Sequence, residues 1–120
     1  MDGKSEADRV GSLLPLKPSW FHILLALREE AAHGFAIRSR VEERTAGGIR
    51  LWPVTLYGSI RQMVEEGLIE GLEGEEGAEA DGRRRYYRLT GFGRAVLLAE
   101  ADRLESLVRE ARMVQVGKRA

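Results

Sequence analysis

The sequence predicts a mainly α-helical fold with a small β-hairpin: a winged helix-turn-helix followed by a C-terminal dimerisation helix. Three observations carry this expectation. A helix opening at Pro53 follows another that ends near Thr45, so two helices must turn sharply against each other. After Gly67 the apolar period falls from that of a helix to two, as in half-buried strands. From Leu97 onward, apolar residues step by four and three, the spacing of a helix-pairing seam. Three helices, a hairpin and a seam helix, in that order, make a winged helix-turn-helix with a dimerisation helix.

Residues 1–12 show no apolar period and are expected to be a disordered N-terminal tail. Residues 13–92 form the expected winged helix-turn-helix domain, and residues 93–120 the dimerisation helix. Leu13, Leu14 and Leu16 make a short apolar patch before Pro18. Pro18 and Ser19 then open a helix of about a dozen residues. Trp20, Leu24, Leu27 and Ala31 give it one apolar stripe, widened by Phe21, Ile23 and Leu25, so this helix should be central. His22, alone within it, fits a structural role better than a ligand role.

His33-Gly34 interrupts the pattern, and a second helix runs to about Thr45 with Ile37, Val41 and Arg44 on one face. Gly47-Gly48 stops it, and Ile49 and Leu51 around Arg50 suit a very short strand. The next helix, 53–66, is the one around which the chain is organised. Pro53 suits its first position, where the missing N–H costs nothing. Leu56, Ile60, Met63 and Val64 recur at helical spacing and should be buried. The opposite side carries Val54, Gly58 and Arg61, flanked by Thr55, Tyr57 and Gln62. Gly67 ends the helix, as glycine commonly does. Residues 68–73 and 83–90 read as the hairpin strands, and Gly91 and Gly93 precede a long helix over about 94–114. Its seam is Leu97, Ala101, Leu104, Val108 and Ala111, and its other faces, including Glu100, are charged.

The charges are balanced overall, 19 basic against 19 acidic, so any nucleic-acid or membrane affinity must be local. Locally they are strongly separated. Residues 65–81 hold eight acidic and no basic side chains, whereas 83–94 hold five arginines and no acidic ones. Arg83, Arg84 and Arg85 at the hairpin can grip phosphates or enter a minor groove. Alternatively these arginines neutralise the acidic first strand. Arginine accounts for 16 of the 19 basic residues; its planar fork reads phosphate and guanine, though a GC-rich genome gives the same bias.

From about Pro18 to Thr90 the chain resembles the PadR family of bacterial winged-helix transcriptional regulators. The matching stretches are His33-Gly34-Phe35-Ala36-Ile37, Val41-Glu42-Glu43-Arg44-Thr45, Pro53-Val54-Thr55-Leu56-Tyr57, Glu65-Glu66-Gly67-Leu68-Ile69 and Gly82 through Thr90. The resemblance implies a homodimer that binds palindromic double-stranded DNA, usually as a repressor. It implies DNA contacts from Thr55 and Tyr57, a wing served by Arg83 to Arg85, and a helix near the DNA backbone starting at His33-Gly34. Gly58 would lie in the same DNA-facing surface. Arg61 would read guanine or grip phosphate, and Gln62 would read adenine. The chain departs from the family pattern where Trp52 replaces a small polar residue, Val54 a glycine and Phe35 a tyrosine.

The alternative is a winged-helix protein-interaction module that binds no DNA, a reading favoured by the zero net charge and the acidic hairpin loop. Catalysis finds little support. The absence of cysteine excludes thiolate chemistry and cysteine zinc sites, no motif joins His22 to His33, and the Glu-rich loop lacks a calcium-loop pattern. No cofactor or metal is expected. Some relatives in the family bind small effectors between subunits; here an effector remains of unknown identity, and the final helix has no aromatic residue after Phe92 to stack one. The polar N-terminus and short apolar runs lead to an expectation of a cytoplasmic protein with no membrane partner.

Overall fold

The computed structural model describes residues 4–72 and 85–114. Among these residues are five helices and one three-stranded antiparallel sheet: α1 (Glu6–Ser12), α2 (Pro18–Ala26), β1 (Ala32–His33), α3 (Gly34–Arg44), α4 (Pro53–Glu65), β2 (Ile69–Leu72), β3 (Tyr86–Leu89) and α5 (Gly91–Ala111). The predicted mainly helical architecture with a wing and a long final helix is what forms. Arg83 and Arg84 lie outside the described residues.

The core gathers on α2. Trp20, Ile23, Leu24 and Ala26 are buried, and the helix packs against α3, α4 and α5. Arg40 on α3 fixes the far end of α2: Nη1 donates to the Ala26 carbonyl at 2.7 Å and Nη2 to Glu30 at 3.1 Å. The turn out of α3 uses Ala46 and Gly47 at positive φ, and Thr45 Oγ1 accepts from the Ile49 amide at 3.0 Å. That connection is not a strand, which corrects the expectation for Ile49–Leu51: Leu51 is buried as a core residue, and no strand among the described residues pairs with it.

The third strand is instead β1. Ala32 pairs with Tyr87 and His33 with Tyr86, so the sheet order is β1-β3-β2. In the wing, Ile69 lies opposite Leu89 and Glu70 opposite Arg88, whose Nε donates to Glu70 at 2.7 Å. Cross-strand neutralisation therefore occupies Arg88.

The N-terminal segment corrects a second expectation. Residues 6–12 are helical: Ser5 Oγ accepts from the Asp8 amide at 3.0 Å while the Asp8 carboxylate accepts from the Ser5 amide, a capping box. The helix docks on α5, with Val10 against the core and the Arg9 guanidinium 4.3 Å from the centre of the Phe92 ring. Partial burial of Val10 and the contact of Arg9 with Phe92 fix a helix too short to persist alone.

The start of α5 is tied to the end of α4. Gly67, at φ +82°, closes α4 with its amide bonded to the Val64 carbonyl and the Leu68 amide bonded to the Met63 carbonyl. Thr90 caps α5 by accepting from the Gly93 amide at 2.9 Å, and its hydroxyl donates to the Gly67 carbonyl at 2.6 Å. A side chain at Gly93 would overlap the Leu68 carbonyl. The direction of α5 is thus coupled to that of α4.

The expected boundary at residue 93 falls inside α5, whose first half belongs to the core through Val96, Leu97 and Glu100. Glu100 is not on a solvent face: it is 3% exposed and held by Arg103, whose Nε and Nη2 donate to its two oxygens at 2.8 and 2.7 Å. That bidentate hydrogen bonding holds its carboxyl below the usual range, against the opposite effect of burial.

Candidate nucleic-acid interface

Helix α4 buries Leu56, Ser59, Ile60 and Met63. Ser59 takes the place expected of Val64, which is exposed. The buried stripe is therefore turned slightly about the helix axis, and Leu56, Ser59, Ile60 and Met63 follow the i, i+3, i+4, i+7 spacing of a single helical face. The opposite face is open. Thr55, Tyr57, Arg61 and Gln62 are exposed, and Val54 is 87% exposed. Gly58 sits in the middle of this face, and a Cβ built there would meet nothing within 4 Å.

The start of α4 has no side-chain cap, since Trp52 stands at the N-cap. The Trp52 ring lies on the surface, with the Arg38 guanidinium 5.9 Å from its centre. Arg38 in turn faces Glu42 at 3.4 Å.

Helix α3 starts differently. His33 Nδ1 accepts from the Ala36 amide at 3.2 Å, and the His33 ring stands edge-on to Tyr86, 5.2 Å between centres. Gly34 is buried beneath Tyr57: a Cβ at Gly34 would stand 2.7 Å from Tyr57 Cε1 and 2.8 Å from Cζ, and closer still to the hydroxyl. The His-Gly pair and the tyrosine are thus one packing unit. The glycine lets the ring of α4 lie across the start of α3, leaving Tyr57 44% exposed and fixed in direction.

Between α4 and the wing runs an open cleft of about 350 Å³, lined by Tyr57, Ile60, Arg61, Val64, Glu65, Gly71, Arg85 and Tyr87. Arg85 reaches into it over Gly71, where a Cβ would stand 2.9 Å from its Nη1. Burial pushes the Tyr87 phenol up, with the Arg85 guanidinium acting the other way. The cleft brings Tyr57 and Arg61 of the helix together with Arg85 of the wing. Sequence reasoning missed Val64, Gly71 and Tyr87 as its walls. The glycine inside a strand was the available signal, since it marks a close approach.

The expected dimer seam divides along α5. Leu97 is 8% exposed and packed inside the chain, which removes it from an outer surface. Leu104 is half-buried, while Ala101, Val108 and Ala111 are exposed, as are Leu107, Met113 and Val114. His22 is partly buried, and burial followed by the Arg44 charge lowers its pKa, in keeping with a structural role. Among the described residues no cluster of His, Cys, Asp and Glu could hold a metal ion, and no helix is long and apolar enough to cross a membrane.

Residues 23–99 match the model of the transcriptional regulator PadR-like family. A transcriptional regulator of Mycobacterium tuberculosis is 36% identical over 90 residues, covering 74% of this chain and 78% of that one. The match to a protein of transposon TN4556 from Streptomyces fradiae is 34% identical over 85 residues and spans only 22% of that longer protein. Among solved structures, a PadR-like transcription factor of Bacteroides fragilis superposes with a TM-score of 0.70 at 22% identity, covering 90% of this chain and 100% of that one. Bacillus subtilis PadR, solved in complex with operator DNA, gives a TM-score of 0.60 at 22% identity, over 71% of this chain and 46% of that one. Both structural likenesses concern the fold.

Proposed function

The chain belongs to the PadR-like family of transcriptional regulators, and from that premise we propose that it is a homodimeric DNA-binding repressor of a palindromic operator. The observation that carries the reading is the open face of α4, thinned at its centre by Gly58. A glycine inside a helix costs about 0.5–1 kcal/mol relative to alanine. Among the described residues nothing packs on this position, so the glycine leaves the helix backbone open to a close approach such as a major groove makes. The B. subtilis relative was solved with operator DNA, which supports the same use of the shared fold.

In this reading α4 lies in the major groove. Thr55, Tyr57, Arg61 and Gln62 face base edges and phosphates, and Gly58 admits the backbone. His33 and Gly34 act by fixing Tyr57 and the start of α3. Arg85, with Arg83 and Arg84, serves the wing; the gap between α4 and the wing accommodates the sugar–phosphate strand between the two grooves. Phosphate contacts set register and make affinity fall steeply with salt.

A second copy of the chain covers the outer half of α5 through Ala101, Leu104, Val108 and Ala111, joined by the exposed Leu107. Because α5 is tied to α4 through Thr90 and Gly67, pairing α5 helices sets the separation of the two recognition helices. Half-sites about 34–36 Å apart then follow from the DNA repeat.

Titration against genomic fragments at two salt concentrations tests the function. The expected result is saturable, salt-weakened binding to a few fragments, lost together in Tyr57→Ala and Arg85→Ala. Retention in both variants would refute the site, and no binding at low salt would favour a protein-interaction module. Leu104→Glu should yield monomers by sedimentation; a dimeric variant would place the interface elsewhere.

A further inference from the structure

Resting on that DNA-binding reading, the geometry points to Val54 as a specificity-determining residue: we propose that it reads the 5-methyl group of a thymine in each half-site. Val54 is the second residue of α4 and is 87% exposed, more than any other large apolar side chain of the described residues. It has no cap to serve, because a valine cannot accept a hydrogen bond. Its neighbour Trp52 is engaged by Arg38, whereas Val54 projects away from the packing of the described residues.

Its position matches the chemistry. Residues at the start of a recognition helix are those that reach base edges in the major groove. The apolar feature of that groove is the thymine methyl, which apolar side chains contact. A β-branched residue in a helix keeps essentially one χ1 rotamer, so the two methyl groups of Val54 are presented in a fixed direction. Val54, Gly58 and Arg61 follow one another at helical spacing along the open face. The backbone approach allowed at Gly58 brings the Val54 end toward the groove floor. One apolar contact and one polar reader, Arg61 or Gln62, then specify bases on the same line.

The test uses duplexes selected by the full-length protein from a random DNA library. Each thymine is replaced in turn by deoxyuridine, which keeps Watson–Crick pairing and lacks only the methyl. Wild type should lose about fourfold in affinity per methyl at one position of each half-site, the value for one buried methyl group at about 0.8 kcal/mol. Val54→Ala should bind the thymine duplex more weakly and be nearly indifferent to deoxyuridine at that position, with an unchanged melting temperature.

Three results would overturn the proposal. Selection of a specific duplex by a wild type that does not distinguish thymine from deoxyuridine at any position removes the methyl readout and leaves DNA binding intact. Full wild-type discrimination in Val54→Ala assigns the methyl to another residue. Failure to select any duplex removes the DNA-binding reading itself, and this inference with it.

Discussion

The two helix starts beside the open face are built in opposite ways. At α3, His33 caps the Ala36 amide, its ring packs edge-on against Tyr86, and Gly34 lies closed beneath Tyr57. At α4, the N-cap residue supplies no side-chain bond and the next residue but one is an almost fully exposed valine. A chain selected for stability alone would cap both, since a side-chain cap contributes about 1 kcal/mol. The difference separates a foundation from a working edge: α3 holds Tyr57 in place, and α4 leaves its first turn and central glycine uncovered.

The largest effect should come from closing the foundation. Gly34→Ala puts a methyl into the Tyr57 ring and is expected to destabilise the fold by about 1–3 kcal/mol, the usual range for overpacking. In a Tyr57→Ala background the same change should cost little. A double-mutant cycle in urea reads this coupling, and additive effects would show that the two residues do not share one space.

His33→Ala comes next. Losing the cap should lower stability by about 1 kcal/mol, measured by chemical denaturation. The smallest effect belongs to the other helix start. Trp52→Ser restores a capping hydroxyl to α4 but gives up the Arg38 contact, worth about 0.5–1 kcal/mol at an exposed site. The net change in stability should therefore be within about 0.5 kcal/mol, whereas DNA affinity should change. A large loss of stability in Trp52→Ser would mean that the two starts are not built differently after all.

Much of this arrangement was legible in the sequence because it is local. Pro53 and Gly67 marked the ends of α4, and the period change after Gly67 marked the wing. What escaped depended on distant partners. Two residues, Ala32 and His33, become a strand because β3 offers them an edge, while Ile49–Leu51 alternate in the same way without one. Glu100 reads as a surface charge until Arg103, one turn on, neutralises it inside the core. The first helix lies in a segment without apolar period, and it persists because Ser5 and Asp8 cap it and Val10 and Arg9 meet α5. In the site, helical spacing identifies Val54, Thr55, Tyr57, Arg61 and Gln62 as exposed residues of α4, but it assigns the exposed Val64 to the buried stripe in place of Ser59. The reason for Gly34 was not visible, because only the fold lays Tyr57 over it.

Gly58→Ala tests the central claim most directly, because it moves folding and binding in opposite directions. With open space at the Cβ position, the variant should be more stable by about 0.5–1 kcal/mol. With a methyl between helix and groove, it should bind its selected duplex at least several-fold more weakly. Denaturation and a salt-matched titration of the same preparation give both values. A variant that is more stable and binds as well as wild type would contradict the account, for the open face of α4 would then not be where DNA approaches.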